Sequence, residues 1–359
     1  MIGATPRNRA IDGLRALSIS LVLLSHAYGT RGSFIPYIAG RYGEFGVRVF
    51  FVISGYLITS LLLTEITRYG GISLRRFYFR RCLRLYPAFL VFVLFVAFLD
   101  RVGLVQLRDG DLIHAFTYTV NYHWNRSWWL GHLWSLSIEE QFYFTWPIIL
   151  KVGGRRFGLI LSLAIIVLAP VLRLAVFILS PQNSKHIDEI TFTVADQIAC
   201  GCLLAFVQSK LHGEPLYRRI QNSTPFLFIP FLTLALNLDP VVRVQWMLGE
   251  SLMNLGITLC LDACLFKTSL VSRLLNSPRI AFVGLLSYSL YLWQQLFLNR
   301  ESAFWLATFP INIVCALGAA WISYRWIETP FLAVRPAWEL RLFGPRGRLQ
   351  SQTQQVTVT

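Results

Sequence analysis

Charge is what this sequence has least of. Asp, Glu, Lys and Arg make up 14% of its 359 residues, while 55% are hydrophobic and the mean hydropathy is +0.53. A soluble domain carries about 25% charged residues, so these values exclude an ordinary soluble enzyme and place the chain in a membrane. Acidic residues are the scarcer sign, 18 against 33 Lys and Arg, for a net charge of +15. That balance would suit a nucleic-acid partner if the basic residues formed one surface. They cluster instead in short segments between apolar runs, which reads as topology, and no nucleic acid is expected. The six cysteines lie in or beside apolar runs without paired extracellular spacing, so no disulfide framework is expected, and Cys200-x-Cys202 alone is a weak metal signal. The six histidines never fall at paired i, i+4 spacing, which argues against a metal triad. Walker-type and dinucleotide glycine motifs, internal repeats and a separate soluble domain are also missing. The first apolar run has no small-residue cleavage site and contains an arginine, so it is expected to be a retained span rather than a signal peptide.

What is present is a series of ten apolar runs long enough to span. They fall near 10–28, 45–66, 86–100, 132–150, 157–179, 190–208, 224–238, 244–266, 279–299 and 303–327. Two of them, 86–100 and 224–238, are short for a straight span of about 20 residues. An eleventh segment, 111–124, holds Asp111, His114, Asn121 and His123. If it stays on one side, 21 Lys and Arg fall on the side of the N-terminus and 8 on the other. If it crosses, every later loop inverts and the positive-inside rule fails repeatedly. The expectation is therefore an all-α, polytopic membrane protein of about ten transmembrane helices, with both termini cytoplasmic. Residues 100–131 form one outer excursion whose Trp124, Trp128 and Trp129 suit an interface. Residues 1–335 are expected to be the membrane domain and 336–359 a polar, disordered tail.

The polar residues inside these runs point to chemistry. In RAIDGLRALSISLVLLSHAY, Arg15 and His26 are eleven residues apart, close to three helical turns, and so share a face roughly 16 Å apart along the axis. A charge inside a membrane helix costs at least about 2.5 kcal/mol and normally faces a polar cavity. Snorkelling of Arg15, or its pairing with Asp12, is the plainer alternative. In GVRVFFVISGYLIT, Arg48 lies near the outer end and Ser54-Gly55 suits close helix approach. The loop RRFYFRRCLRLYP reads either as a topology signal touching anionic membrane lipids or as a phosphate clamp, with Arg81 and Arg84 on one face. GHLWSLSIEEQFYFTWP brings Glu139 and Glu140 into the fourth span. A carboxylate reaching His26 would raise its basicity, and a structural salt bridge is the alternative. Arg173 and Asp196 are expected to pair structurally. In GLLSYSLYLWQQLF, Ser287, Tyr288, Tyr291 and Gln294 form a polar stripe, and YRWIETPF places Arg325 and Glu328 near the arginine loop.

In order along the chain, the Arg15-to-His26 pair, GVRVFFVISGYLIT, RRFYFRRCLRLYP, HLWSLSIEEQFYF, SYSLYLWQQ and RWIETPF resemble the membrane acyltransferase-3 family from about Arg9 to Phe331. The resemblance implies O-acyl transfer from cytosolic acyl-CoA, most simply acetyl-CoA, to a hydroxyl on an extracytoplasmic acceptor. It implies His26 as the catalytic residue with Arg15 its motif partner, and Glu139 on the family's WSL-x-x-E glutamate. Acyl-CoA, the donor, is expected at Arg76, Arg80, Arg81 and Arg84. The expected substrate-binding set is Asp12, Arg48, Trp134, Ser135, Tyr288, Tyr291 and Gln294. Gln294 stands where family members carry a histidine; it can hydrogen-bond an acceptor but cannot act as a base. No hydrolase-like domain follows, so any helper enzyme is expected on a separate chain. The expected acceptor is a sugar of a polysaccharide or lipopolysaccharide at the cell (inner) membrane. A macrolide-like hydroxyl is an alternative. A glycan or lipid transporter is the rival class, but it predicts paired broken helices and an internal repeat.

Overall fold

The computed structural model describes residues 9–238, 248–266, 269–302 and 304–345. The expected polar tail from 346 onward, and the start of the run at 244–266, lie outside them. The described residues are helical, with turns between. Nine helices organise the bundle: α1 Arg9–Ala27, α2 Gly43–Tyr69, α3 Leu74–Arg101, α4 Leu133–Leu179, α5 Thr191–Gly213, α6 Glu250–Phe266, α7 Pro278–Trp293, α8 Ile311–Ser323 and α9 Thr329–Phe343. Five helical segments among the described residues are long and apolar enough to cross a membrane: Arg9–Ala27, Tyr37–Tyr69, Leu74–Arg101, Trp128–Leu179 and Thr191–Gly213.

Local signals set the ends of these helices. α1 carries Asp12 in its first turn, where a carboxylate complements the helix dipole, and His26 in its last. α2 stops at Gly70, whose left-handed φ of 74° lets its N–H donate to the Ile66 carbonyl at 2.8 Å. α4 is two helices in sequence, broken at Gly154, where φ is 73°. That break separates the runs expected at 132–150 and 157–179. The expected arginine loop is not a loop. It forms the first turns of α3, because Pro87 removes one helical hydrogen bond without ending the helix. The excursion at 111–124 divides into a short helix, Asp111–Phe116, and a 3₁₀ turn, Val120–Tyr122, both far too short to cross. α9 continues past residue 335 to Phe343, so the first part of the expected tail is helical.

Small residues decide how closely the helices approach. A Cβ on Gly55 would overlap the Ile198 carbonyl oxygen and one on Gly201 the Val52 carbonyl oxygen, so α2 and α5 touch backbone to backbone. Gly284 meets the Asp12 carbonyl in the same way and seats α7 against α1. α1 thereby packs between α2 and α7. Side-chain pairs fix direction. His26 meets Gln294 while Gly284 meets Asp12, so α1 and α7 are parallel. Gly46 lies against Ser18 and Gly43 against Ser25, so α2 is antiparallel to α1. The first half of α4 follows α2, with Glu139 at Ser54 and Trp146 at Thr59.

Candidate active site

A cavity lies among α1, α2, α3, α4 and α7 and the π-helical turn Tyr324–Glu328. Arg15, Arg81 and Arg84 line it beside Glu139 and Glu328, so its wall carries more cationic than anionic side chains. The Arg81 guanidinium lies 3.4 Å from the centre of the Tyr143 ring, a cation–π contact that holds the fork flat and aimed. Tyr143 donates to Ser54 at 2.8 Å, and Ser54 donates to Glu139 Oε1 at 2.5 Å. Glu328 accepts from Ser289. Tyr288 donates to the Leu85 carbonyl at 2.9 Å, tying α7 to α3 directly below the arginines. Tyr291 reaches the His132 carbonyl at 2.5 Å and Ser135 Oγ at 2.6 Å, which closes the cavity at its far end.

His26 lies just beyond that closure, half-buried. Its Nδ1 lies 2.7 Å from Gln294 Oε1. An amide oxygen only accepts, so Nδ1 carries the ring proton and Nε2 keeps its lone pair. Trp128 packs edge-on to the imidazole at 5.6 Å and donates from Nε1 to the Gln295 carbonyl at 3.0 Å. His132 Nε2 donates to the Leu292 carbonyl at 3.1 Å, pinning the last turn of α7 from which Gln294 emerges. The imidazole is thus oriented by an amide held on a fixed helix end.

The structure brings together Arg15, Arg81, Arg84, Ser135, Glu139, Tyr288 and Tyr291 in one cavity, and pairs His26 with Gln294 outside its lining. It separates the others. Glu139 is held by Ser54 on the cavity side, and Gln294 takes the place expected of it at the imidazole. The adjacency of Glu139 to Arg15 in space, not to His26, explains this. Arg48 turns away into a buried ion network, 3.0 Å from Glu250 and 3.2 Å from Asp188. Arg173 joins it through Glu250 at 3.1 Å and through Asp196, the expected structural pair. Burial holds the Asp188 carboxyl above its ordinary range even beside Arg48. Arg76 and Arg80 also leave the cavity. Arg76 donates to the Phe343 and Gly344 carbonyls at 2.6 and 2.9 Å, and Arg80 lies 3.2 Å from Glu65 and 3.5 Å from Glu339. A guanidinium at the carbonyl end of α9 is where the helix dipole favours it. Asp12 is buried against Gly284 one turn below Arg15, and Trp134 packs edge-on to Phe51 at 6.3 Å rather than lining the cavity.

Four polar cavity residues, Ser54, Tyr143, Ser287 and Glu328, were not on the expected site list, although Ser287 was read as part of the polar stripe of its helix. Tyr143 was legible: Ser135, Glu139 and Tyr143 recur at i, i+4, i+8 and so form one stripe. Ser54 was read as a packing residue beside Gly55; in the helix only Gly55 packs, and Ser54 faces the site. Glu328 depends on the π-helical turn that rotates it inward, which nothing in the sequence announces.

The sequence model of an acyltransferase domain, acyltransferase-3, matches residues 8–325. The chain is 29% identical over 354 residues to the O-acetyltransferase OatA of Staphylococcus aureus strain NCTC 8325, covering 89% of this chain and 56% of that protein. OatA of strain COL matches to the same extent. The chain therefore spans about half the length of the curated relatives it matches. No solved structure matches.

Proposed function

The chain belongs to the acyltransferase-3 family, and on that premise we propose that it moves an acyl group, most simply acetyl, from cytosolic acyl-CoA to a sugar hydroxyl on the outer side of the membrane. Two observations carry this reading: Arg81 and Arg84 line one cavity, and beyond the Tyr291 contacts that bound it stands an imidazole oriented by Gln294. Arg81 and Arg84 offer guanidinium forks to the phosphates of the donor. Arg15 and His26 stand about 16 Å apart on α1, a length that an extended pantetheine arm bridges. His26 Nε2 takes the proton of the acceptor hydroxyl as its oxygen adds to the thioester carbonyl. The C–S bond then breaks, and the departing thiolate recovers the proton from the imidazolium. Gln294 keeps Nε2 pointed at the acceptor through both steps.

This reading takes ten crossings with both termini in the cytoplasm, the arrangement that the distribution of Lys and Arg favours. Under that arrangement the arginines face the donor's compartment and His26 the acceptor's. The acceptor is a cell-surface polysaccharide or lipopolysaccharide sugar, and a macrolide-like hydroxyl would meet the same residues. The test is O-acetyl content of the cell-surface glycan in cells expressing wild type or His26→Ala at matched levels. The reading predicts loss in His26→Ala, and unchanged acetylation would reject it.

A further inference from the structure

Outside the cavity, the outer excursion carries a second built feature. The Trp124 indole is stacked on the His186 imidazole, ring centres 4.8 Å apart and planes within 3°, although the two residues come from different connections. Trp124 is still 39% exposed. The pair is fixed from behind: Glu189 lies 3.5 Å from His186 Nδ1 and is ion-paired with Arg126. Arg126 also donates to the Val120 and His123 carbonyls, both at 3.4 Å. Asn121 then ties the excursion to the second connection through the Glu189 carbonyl at 3.2 Å and Thr191 Oγ1 at 3.1 Å. An indole that merely anchors a protein at a lipid interface needs no such support. This one is held parallel to the His186 ring beside charged groups, and four residues further on Trp128 touches His26.

We propose that Trp124 and His186 form a stacking platform for a carbohydrate chain, the subsite that holds the acceptor's neighbouring sugar while its reacting residue enters at His26. An exposed aromatic face receives the C–H face of a pyranose, and the flanking polar groups exchange hydrogen bonds with its ring hydroxyls. The proposal rests on the acyl-transfer reading and adds to it a subsite for the sugar next to the one that reacts.

The experiment uses the full chain in nanodiscs with radiolabelled acetyl-CoA. The acceptor is the water-soluble oligosaccharide fraction released from the producing cell's own surface glycan. Trp124→Ala and His186→Ala are expected to raise the KM for oligosaccharide by about tenfold, with kcat within about twofold and acetyl-CoA binding unchanged. Trp124→Phe is expected to restore most of the affinity. An unchanged KM in Trp124→Ala overturns the platform, as does a parallel fall in kcat and acetyl-CoA binding, which would mark Trp124 as a structural anchor. A wild-type protein that binds acetyl-CoA but acylates no glycan would instead overturn the acyl-transfer reading beneath it.

Discussion

Individual side chains divide the arginine-rich helix into two jobs. Arg81 and Arg84 line the cavity, whereas Arg76 and Arg80 are engaged by Glu339, Glu65 and the carbonyl end of α9. Arg84→Ala is therefore expected to weaken acetyl-CoA binding at least tenfold, on the scale of about 1.5–3 kcal/mol for a hydrogen bond to a charged group. Arg76→Ala is expected to leave that binding near wild type and lower the thermal midpoint; equilibrium binding and a melting curve on the same preparations separate the two. Gln294→Ala removes the amide that orients His26. General-base catalysis is worth roughly 10²–10⁴-fold, and an oriented base loses part of that when freed, so kcat should fall about 10- to 100-fold with donor affinity intact. The sequence alone could place Arg81 and Arg84 on one face, but not tell which arginines meet acids from distant helices. The same limit hid Gln294 behind Glu139: helical spacing reports which residues share a face, not which faces meet.

At the level of whole helices, close backbone contact is the organising device. Gly55 and Gly201 leave no room for a side chain where α2 crosses α5, and Gly284 leaves none where α7 meets α1. Gly201→Leu should push α5 away from α2. Since Ser54 and Glu139 depend on that seating, the variant is expected to lose folded protein after extraction, read by size-exclusion chromatography, and not merely activity. The long apolar helices α1 to α5 were legible because they follow from composition and a period of 3.6 residues, whereas the later runs form helices shorter than the expected spans. The helical continuation of the arginine segment through Pro87, the break at Gly154 and the π-helical turn before α9 were not legible. Each is a local departure from regular geometry that tertiary packing stabilises, and a periodic pattern carries no trace of it.

For the whole molecule, the excess of basic residues on the side of the N-terminus predicts the orientation. In a cysteine-free background, Gln182→Cys is expected to react with an impermeant thiol reagent in intact cells, and Leu216→Cys only after permeabilisation; the reverse pattern would invert the assignment of donor and acceptor sides. The buried network of Arg48, Arg173, Asp196 and Glu250 then serves the bundle rather than the chemistry, as its nearly complete burial suits. The proposed function rests on one division of labour, donor binding by Arg81 and Arg84 and proton transfer by His26. The most direct test measures both in purified protein, as acetyl-CoA binding and acetyl transfer in wild type, Arg84→Ala and His26→Ala. The account predicts that Arg84→Ala loses binding, while His26→Ala binds acetyl-CoA like wild type and transfers none of it. Well-folded wild type that binds no acetyl-CoA, or His26→Ala that transfers at the wild-type rate, would contradict it.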